Sequence, residues 1–446
     1  MTAVATALTR DAMDTTLVQV TGGRPLSGRI PVQGSKNIAL HLYAAALLAD
    51  VPVVLAGAPD IIDTGVCAQI LRRTGARVDT RGGCFTVSPP STMRPVVHPE
   101  LGRRVRTTAV LAAAVLARTG QVAFPYPGGD AFCPRLIDRH LAAMQAAGAE
   151  VIARDTGIRA RCVRGVRAFT VDVNTAYGPS LGATVTAMLL AARAHGTSLI
   201  THPSIEPEVT ETARFLADRG VLIHFDQEGL HVSGSDWIAG GTFSVAGDRI
   251  EAATMIMAAA ATGGSVHLDN ITAADLPDGL TRTLAKAGIA VADDPSGGVR
   301  TLLDGPLRAT VTATGPHPGL PTDTAPQLTA MLTGAVGTSM IRECIYPRRD
   351  THVQGLRAFG AEITATGAIL RVHGPARLRG ADVEAADIRA VTALLIAALA
   401  ADGTSTIRGM FHLRRGYALL LPHLATLGAE ITTIPEAPDA RPVHRR

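Results

Sequence analysis

Six times along this chain, at nearly even intervals, a helix-like stretch runs into a glycine followed by Ala, Val or Ile. The phrases are Thr74-Gly75-Ala76, Ala147-Gly148-Ala149, Arg219-Gly220-Val221, Ala287-Gly288-Ile289, Phe359-Gly360-Ala361 and Leu427-Gly428-Ala429. Successive glycine numbers differ by 73, 72, 68, 72 and 68. Glycine suits a helix C-terminus because it takes positive φ without a Cβ penalty. The stretches before the glycines are apolar-periodic: 69–73, 141–146, 212–218, 280–286, 352–358 and 417–426. Even spacing of one phrase predicts a repeated supersecondary unit.

The unit reads the same way in several copies. An Ala/Leu-rich helix comes first (44–48, 110–117, 188–194, 394–401), then a polar turn and a β-branched strand (51–54, 120–123, 196–200, 403–407). A second helix ends at the glycine, and a strand such as 76–78 or 429–432 follows. Strands alternating with helices imply layered α/β architecture. Six units exceed one ordinary core, so the expected division is two lobes of three: residues 35–246, and 1–34 with 247–446. The opening strand, 17–21, is free to pair with the last units, and a cleft between similar lobes is the natural place for substrates. The tails, 1–15 and 435–446, are expected to be disordered.

Composition removes several functional classes. Aromatic residues are 3% of the chain, with Trp237 the single tryptophan, so a base-stacking nucleic-acid surface is not expected. The formal charge of +4 without a Lys/Arg block suits a small anionic ligand. Cys67, Cys84, Cys133, Cys162 and Cys344 are scattered, with no CxxC pair or Cys/His cluster, so neither a disulfide framework nor a metal site is expected. The N-terminus does not read as a secretion signal, and apolar runs 108–117 and 391–401 are too short to span a bilayer. A soluble, cytoplasmic protein acting on small molecules is the expectation, with no obligate protein partner.

Four segments carry chemistry. Gly34-Ser35-Lys36-Asn37 follows a strand (28–32) and opens a helix, where a cation and an amide can meet an anion. The run 128–140 puts Asp130 at the tip of a two-glycine loop, with Arg135 and Asp138 at the following helix start. A loop that closes over substrate can deliver an acid into a dry site, where burial favours the proton-carrying form. Asp323 follows a rigid Pro-Gly-Leu-Pro turn; Asp387-Ile388-Arg389 opens one helix, and residues 412–417, with Arg415, open another.

In order, the phrases GSKN (34–37), PGGDAFCPRLIDRH (127–140), SLGATVT (180–186), EPEVTETARFL (206–216), DRIEAAT (248–254), PHPGLPTD (316–323), DIRA (387–390) and HLRRGY (412–417) resemble the enolpyruvyl transferases. The resemblance covers about residues 17–433. It implies an inside-out α/β barrel of the EPSP synthase type, with six βαβαββ repeats, three per lobe, whose helices form the core. It also implies transfer of the enolpyruvyl group of phosphoenolpyruvate, a co-substrate, to a hydroxyl of a uridine nucleotide, through a tetrahedral phospho-ketal, with no cofactor or metal. By the matched motifs Lys36, Arg135 and Arg415 hold phosphoenolpyruvate, with Arg106 and Arg389 in support. Asp130 donates a proton to the vinyl carbon, Asp323 takes the hydroxyl proton, and Asn37 orients the acceptor. Ser180, Leu181 and Gly182 meet the nucleotide phosphate, Ile137 and Asp138 meet uridine, and Arg349 is a retained substrate-binding position.

The acceptor is the open point. UDP-N-acetylglucosamine, for the cell wall, is the family default. Leu136, Arg139, Gly178-Pro179 and the stretch 342–350 depart from the usual pattern, so uridine 5′-monophosphate, in a peptidyl-nucleoside antibiotic pathway, is the alternative. A shikimate-pathway transferase fits poorly, since Lys36 is followed by Asn37 and Ile38, and an RNA 3′-phosphate cyclase fits neither the six-unit length nor the acidic loop. An inactive nucleotide-binding regulator is the alternative of another class, and the retained Lys36, Arg135, Asp323 and Arg415 argue against it. Many relatives carry cysteine where this chain has Asp130, so a thiol-directed epoxide such as fosfomycin is not expected to inactivate it; Cys133 reads as a bystander.

Overall fold

In the computed structural model, which describes residues 16–130 and 136–435, the six repeat glycines all take positive φ: 107°, 96°, 93°, 96°, 95° and 102° from Gly75 to Gly428. In five copies the next residue donates its N–H back five positions, as Ala76 does to Leu71, Val221 to Leu216 and Ala429 to Leu424. That bond and the left-handed glycine make a Schellman stop, which turns each helix into its strand. The helices stopped this way are Ile62–Thr74, Asp138–Ala146, Pro207–Ala217, Asp278–Lys286, Val353–Ala358 and Leu420–Thr426.

A second set of six helices forms the interior. These are α1 (Lys36–Ala46), α2 (Thr108–Thr119), α3 (Leu181–Ala191), α4 (Arg249–Ala261), α5 (Ala325–Leu332) and α6 (Ile388–Ala400). Every residue of α1 and α5 is buried, as are twelve consecutive residues in each of α4 and α6. A helix that is apolar on all sides, such as LGATVTAMLLA in α3, has only an interior to occupy. Alanine dominates these helices because it keeps helix propensity while letting neighbours approach closely.

The chain divides into two compact units, one of residues 34–246 and the other reaching Gln33 and resuming at Gly247. Gly34 thus falls with the first, one residue from the expected crossing. Within 34–246, α2 packs on both α1 and α3; in the other unit α4, α5 and α6 each pack on the other two. Each unit carries three sheets of one pattern. Thr197–Thr201, for example, lies between parallel Thr170–Asp172 and antiparallel Leu230–Ser233, whose hairpin partner Leu222–Phe225 closes the sheet. In the sheet of Gln121–Phe124 the parallel neighbour is reduced to a bridge at Val96. The last sheet completes itself with the chain's beginning: Thr16–Thr21 pairs with both Thr404–Arg408 and Glu430–Pro435, where the opening strand was expected. Pro435 therefore ends a strand, whereas 1–15 and 436–446 lie outside the described residues. No described helix is long and apolar enough to cross a membrane.

Candidate active site

The unit 34–246 gathers its site residues at helix starts. Ser35 caps α1, its hydroxyl accepting from the Ile38 N–H at 3.4 Å, so Lys36 and Asn37 occupy the first turn. Lys36 is buried, and its Nζ lies 3.0 Å from Asp63 Oδ2, at the start of the helix Ile62–Thr74. Breaking such a buried pair by removing one partner costs about 3–5 kcal/mol, so Asp63 fixes the ammonium in place. Arg106 donates through Nη2 to Asn37 Oδ1 at 2.8 Å, which joins two expected site residues directly. Behind them the Asn37 carbonyl accepts from His41 Nδ1 at 2.8 Å; burial, reinforced by Arg106, drives that imidazole down to about 4.

Asp130 follows a glycine that lies hard against neighbouring backbone. A Cβ at Gly128 would stand 1.6 Å from the Arg103 carbonyl oxygen, so this glycine serves close backbone approach as well as mobility. Asp130 is half-buried at the end of this stretch. Arg135 and Cys133 lie outside the described residues. Ile137 and Asp138 begin the next helix, and Arg139 Nε stands 3.8 Å from Asp138 Oδ2. His140 Nδ1 is 2.7 Å from Thr186 Oγ1 on α3, and a Cβ at Gly182 would meet the His140 ring at 2.8 Å. Gly182 thereby lets Asp138–Ala146 dock on α3, bringing Ile137 and Asp138 to the same helix pair as Ser180 and Leu181. Ser180 caps α3 by accepting from the Ala183 N–H at 3.4 Å. Leu181 and Gly182 lie in the first turn, where N–H groups have no partner within the helix and suit a phosphate. The departing Gly178-Pro179 forms one side of a small hairpin with Asn174–Thr175, its tip carrying exposed Tyr177 and no cationic side chain.

The other unit builds its cluster around Asp323. This residue sits in a single 3₁₀ turn, Thr322–Thr324, ahead of α5. Its Oδ1 is 2.8 Å from Arg349 Nη1 and its Oδ2 is 2.6 Å from Arg389 Nη2; both arginines are buried, whereas a quarter of the Asp323 side chain reaches solvent. Asp387 caps α6 by accepting from the Arg389 and Ala390 N–H groups, which sets Arg389 in the first turn. Burial opposes the Arg389 charge, but Asp323, Tyr417 and Asp248 outweigh it and hold the guanidinium above its ordinary range. Arg389 Nη1 also donates to the Tyr417 hydroxyl at 2.7 Å. Arg415 is buried, but residues 412–417 do not open a helix as expected: Met410–Arg414 is a short helix that ends there, and the next starts at Leu420. Gly416 breaks the run at the point where Arg415 caps the preceding turn.

Three positioning residues escaped the sequence reading. Glu343 accepts from Thr314 and Thr322 hydroxyls and from the Ile345 and Tyr346 N–H groups, tying the Asp323 turn to the loop that carries Arg349. Gln33 donates to the Gly416 carbonyl and accepts from the Ala418 N–H, bracketing the segment after Arg415. Glu251 on α4 accepts from the Gln33 N–H at 2.7 Å. Only the DRIEAAT phrase hinted at Glu251; Gln33 had no local signal.

Buried titratable groups near both clusters set a pH window for stability. Burial pushes Glu251 up to about 8 from 4.5, so the native state keeps a proton that the unfolded chain loses, and stability falls as pH rises from 4.5 to 8. His41 and His352, buried and driven down to about 4 from 6.5, do the reverse: stability present above 6.5 is lost as pH falls towards 4. The two histidines outweigh Glu251 up to about pH 6.5, so thermal melts should peak there, and Glu251→Gln should flatten the fall from 6.5 to 8, which amounts to about 2 kcal/mol. An unchanged alkaline limb in Glu251→Gln would remove Glu251 as its cause.

A family model described as EPSP synthase (3-phosphoshikimate 1-carboxyvinyltransferase) matches residues 20–424. The UDP-N-acetylglucosamine 1-carboxyvinyltransferase of Hyphomonas neptunium is 37% identical over 419 residues, covering 93% of this chain and 97% of that protein. UDP-N-acetylglucosamine 1-carboxyvinyltransferase 3 of Symbiobacterium thermophilum is 40% identical over 425 residues, covering 93% and 97%. The crystal structure of the enolpyruvyl transferase NikO from Streptomyces tendae superposes with a TM-score of 0.83 at 28% identity, over 95% of this chain and 99% of that one. EPSP synthase of Acinetobacter baumannii, at 16% identity and TM-score 0.74, shares the fold. The chain belongs to the EPSP synthase family and is an enolpyruvyl (carboxyvinyl) transferase.

Proposed function

We propose that this enzyme transfers the enolpyruvyl group of phosphoenolpyruvate to a hydroxyl of a uridine nucleotide, with release of phosphate and no resident cofactor or metal. The observation that carries the reading is Asp323, held by Arg349 and Arg389 yet partly open to solvent, as a base able to receive a hydroxyl proton must be. In the first step Asp323 takes the acceptor's proton as its oxygen bonds to C2 of phosphoenolpyruvate, while Asp130 gives a proton to C3. In the second, the C2–O bond to phosphate breaks, C3 returns a proton to the Asp130 carboxylate and the vinyl group is restored. Lys36, Arg135 and Arg415, supported by Arg106, bind the phosphate and carboxylate and stabilise the charge that builds up on the departing phosphate. Asn37, its oxygen engaged by Arg106, turns its amide towards the acceptor.

UDP-N-acetylglucosamine is the acceptor that the names of the curated relatives support, and on that reading the enzyme serves peptidoglycan synthesis. The hairpin of Asn174–Thr175 and Gly178–Pro179 favours a second reading. It has no cation for a second phosphate, whereas the start of α3 suits a single one, as in uridine 5′-monophosphate. Phosphate release with phosphoenolpyruvate and each nucleotide separates them: turnover with the sugar nucleotide alone supports the first reading, and turnover with the monophosphate alone replaces it. Release with neither overturns both acceptor readings.

A further inference from the structure

We propose that His224, Asp226 and His231, on the outer hairpin of unit 34–246, bind one divalent transition-metal ion of the zinc, copper or nickel type. The pattern H-x-D-x4-H looks unremarkable in sequence, and neither a metal site nor a ligand cluster was expected there. The hairpin register changes that, because His224 on Leu222–Phe225 stands directly opposite His231 on Leu230–Ser233. The two imidazoles lie parallel within 2°, ring centres 4.5 Å apart, and both turn Nε2 towards Asp226. Among the described residues this is the group of three or more His, Cys, Asp or Glu whose ligand atoms all fall within 4.8 Å of one another.

The geometry is close to what a metal asks for. Asp226 Oδ2 is 3.0 Å from His231 Nε2 and 3.6 Å from His224 Nε2. With bonds of about 2.1 Å, neighbouring ligands of a tetrahedral ion stand about 3.4 Å apart, so the spacing fits once the stacked imidazoles turn out of their parallel planes to aim both Nε2 atoms at one ion. The carboxylate is already oriented from behind: Asp226 Oδ1 accepts from the Glu228 and Gly229 N–H groups at 2.9 and 3.2 Å. Such tethering is what outer partners do for metal-binding carboxylates. Glu228 Oε2, 4.0 Å from His231 Nε2, is a fourth oxygen within reach. Two imidazoles with one or two carboxylates select borderline ions over magnesium or calcium. Held on a hairpin that carries none of the residues assigned to transfer, the ion would act as a clip across the two strands, binding the folded hairpin in preference to the open chain and so stabilising it by mass action.

The test uses the full chain, freed of metal with a chelator and titrated with zinc ion alone by calorimetry, alongside His224→Gln and His231→Gln. Both variants keep polar, strand-compatible side chains, and turnover of the metal-free proteins verifies that they fold. One equivalent of zinc should bind to the wild type and raise its melting temperature. Loss of an outer partner alone weakens metal sites about 10–100-fold, so each histidine variant should lose at least that much affinity together with the thermal shift. Cobalt in place of zinc should give visible absorption bands in the wild type that both variants lack. Equal zinc affinity in all three proteins, or no binding to the wild type, overturns the proposal.

Discussion

Asp323→Ala is expected to reduce turnover by a factor of about 10³ or more while leaving nucleotide binding nearly intact, since positioned general bases contribute about 10²–10⁴-fold. The change also leaves the buried guanidiniums of Arg349 and Arg389 without their shared carboxylate, which costs stability as well as rate. Asp323→Asn separates the two effects. It keeps the shape and one of the two acceptors, so it should lose less stability than Asp323→Ala and still fail to turn over. The nucleotide contacts assigned to Ser180, Leu181, Ile137 and Asp138 belong to the other unit, so calorimetric nucleotide affinity should change little in either variant. Normal turnover in Asp323→Asn would show that another group takes the hydroxyl proton.

The second large effect concerns Asp130. Asp130→Asn removes the proton donor without altering side-chain size, and turnover should fall by about 10²–10⁴-fold. The same residue governs sensitivity to a thiol-directed epoxide. A carboxylate is a poor nucleophile compared with a thiolate, so fosfomycin should leave the wild type active and unlabelled. Asp130→Cys should acquire a covalent adduct at that position. A mass shift localised to Asp130 in the wild type would contradict the assignment, as would full activity in Asp130→Asn.

Local physics explains how much of this was legible. The six glycines announce the repeat because a left-handed helix stop can be read from one residue and its neighbours, and all six adopt it. The alanine-rich segments announce the interior because a helix without a polar face has no other place. Caps such as Ser35, Ser180 and Asp387 were likewise visible at helix starts. Contacts between distant positions were not. Asp63 reaches Lys36 across 27 residues of chain, and Glu343 ties Thr314 and Thr322 to a loop through hydrogen bonds that leave no spacing pattern. Arg415 was expected to open a helix but ends one, because Gly416 stops one turn before the apolar stretch resumes at Leu419-Leu420. His224 and His231 met only through strand register, which a hairpin sets after its turn has formed.

The most direct measurement is the mass of the acceptor after incubation with phosphoenolpyruvate in deuterium oxide, uridine nucleotides being offered one at a time. Addition and elimination through a protonated C3 predicts one phosphate released per nucleotide consumed, and a nucleotide heavier by one enolpyruvyl group with deuterium in its vinyl methylene. Phosphate release without a heavier nucleotide, or a heavier nucleotide free of deuterium, would contradict it.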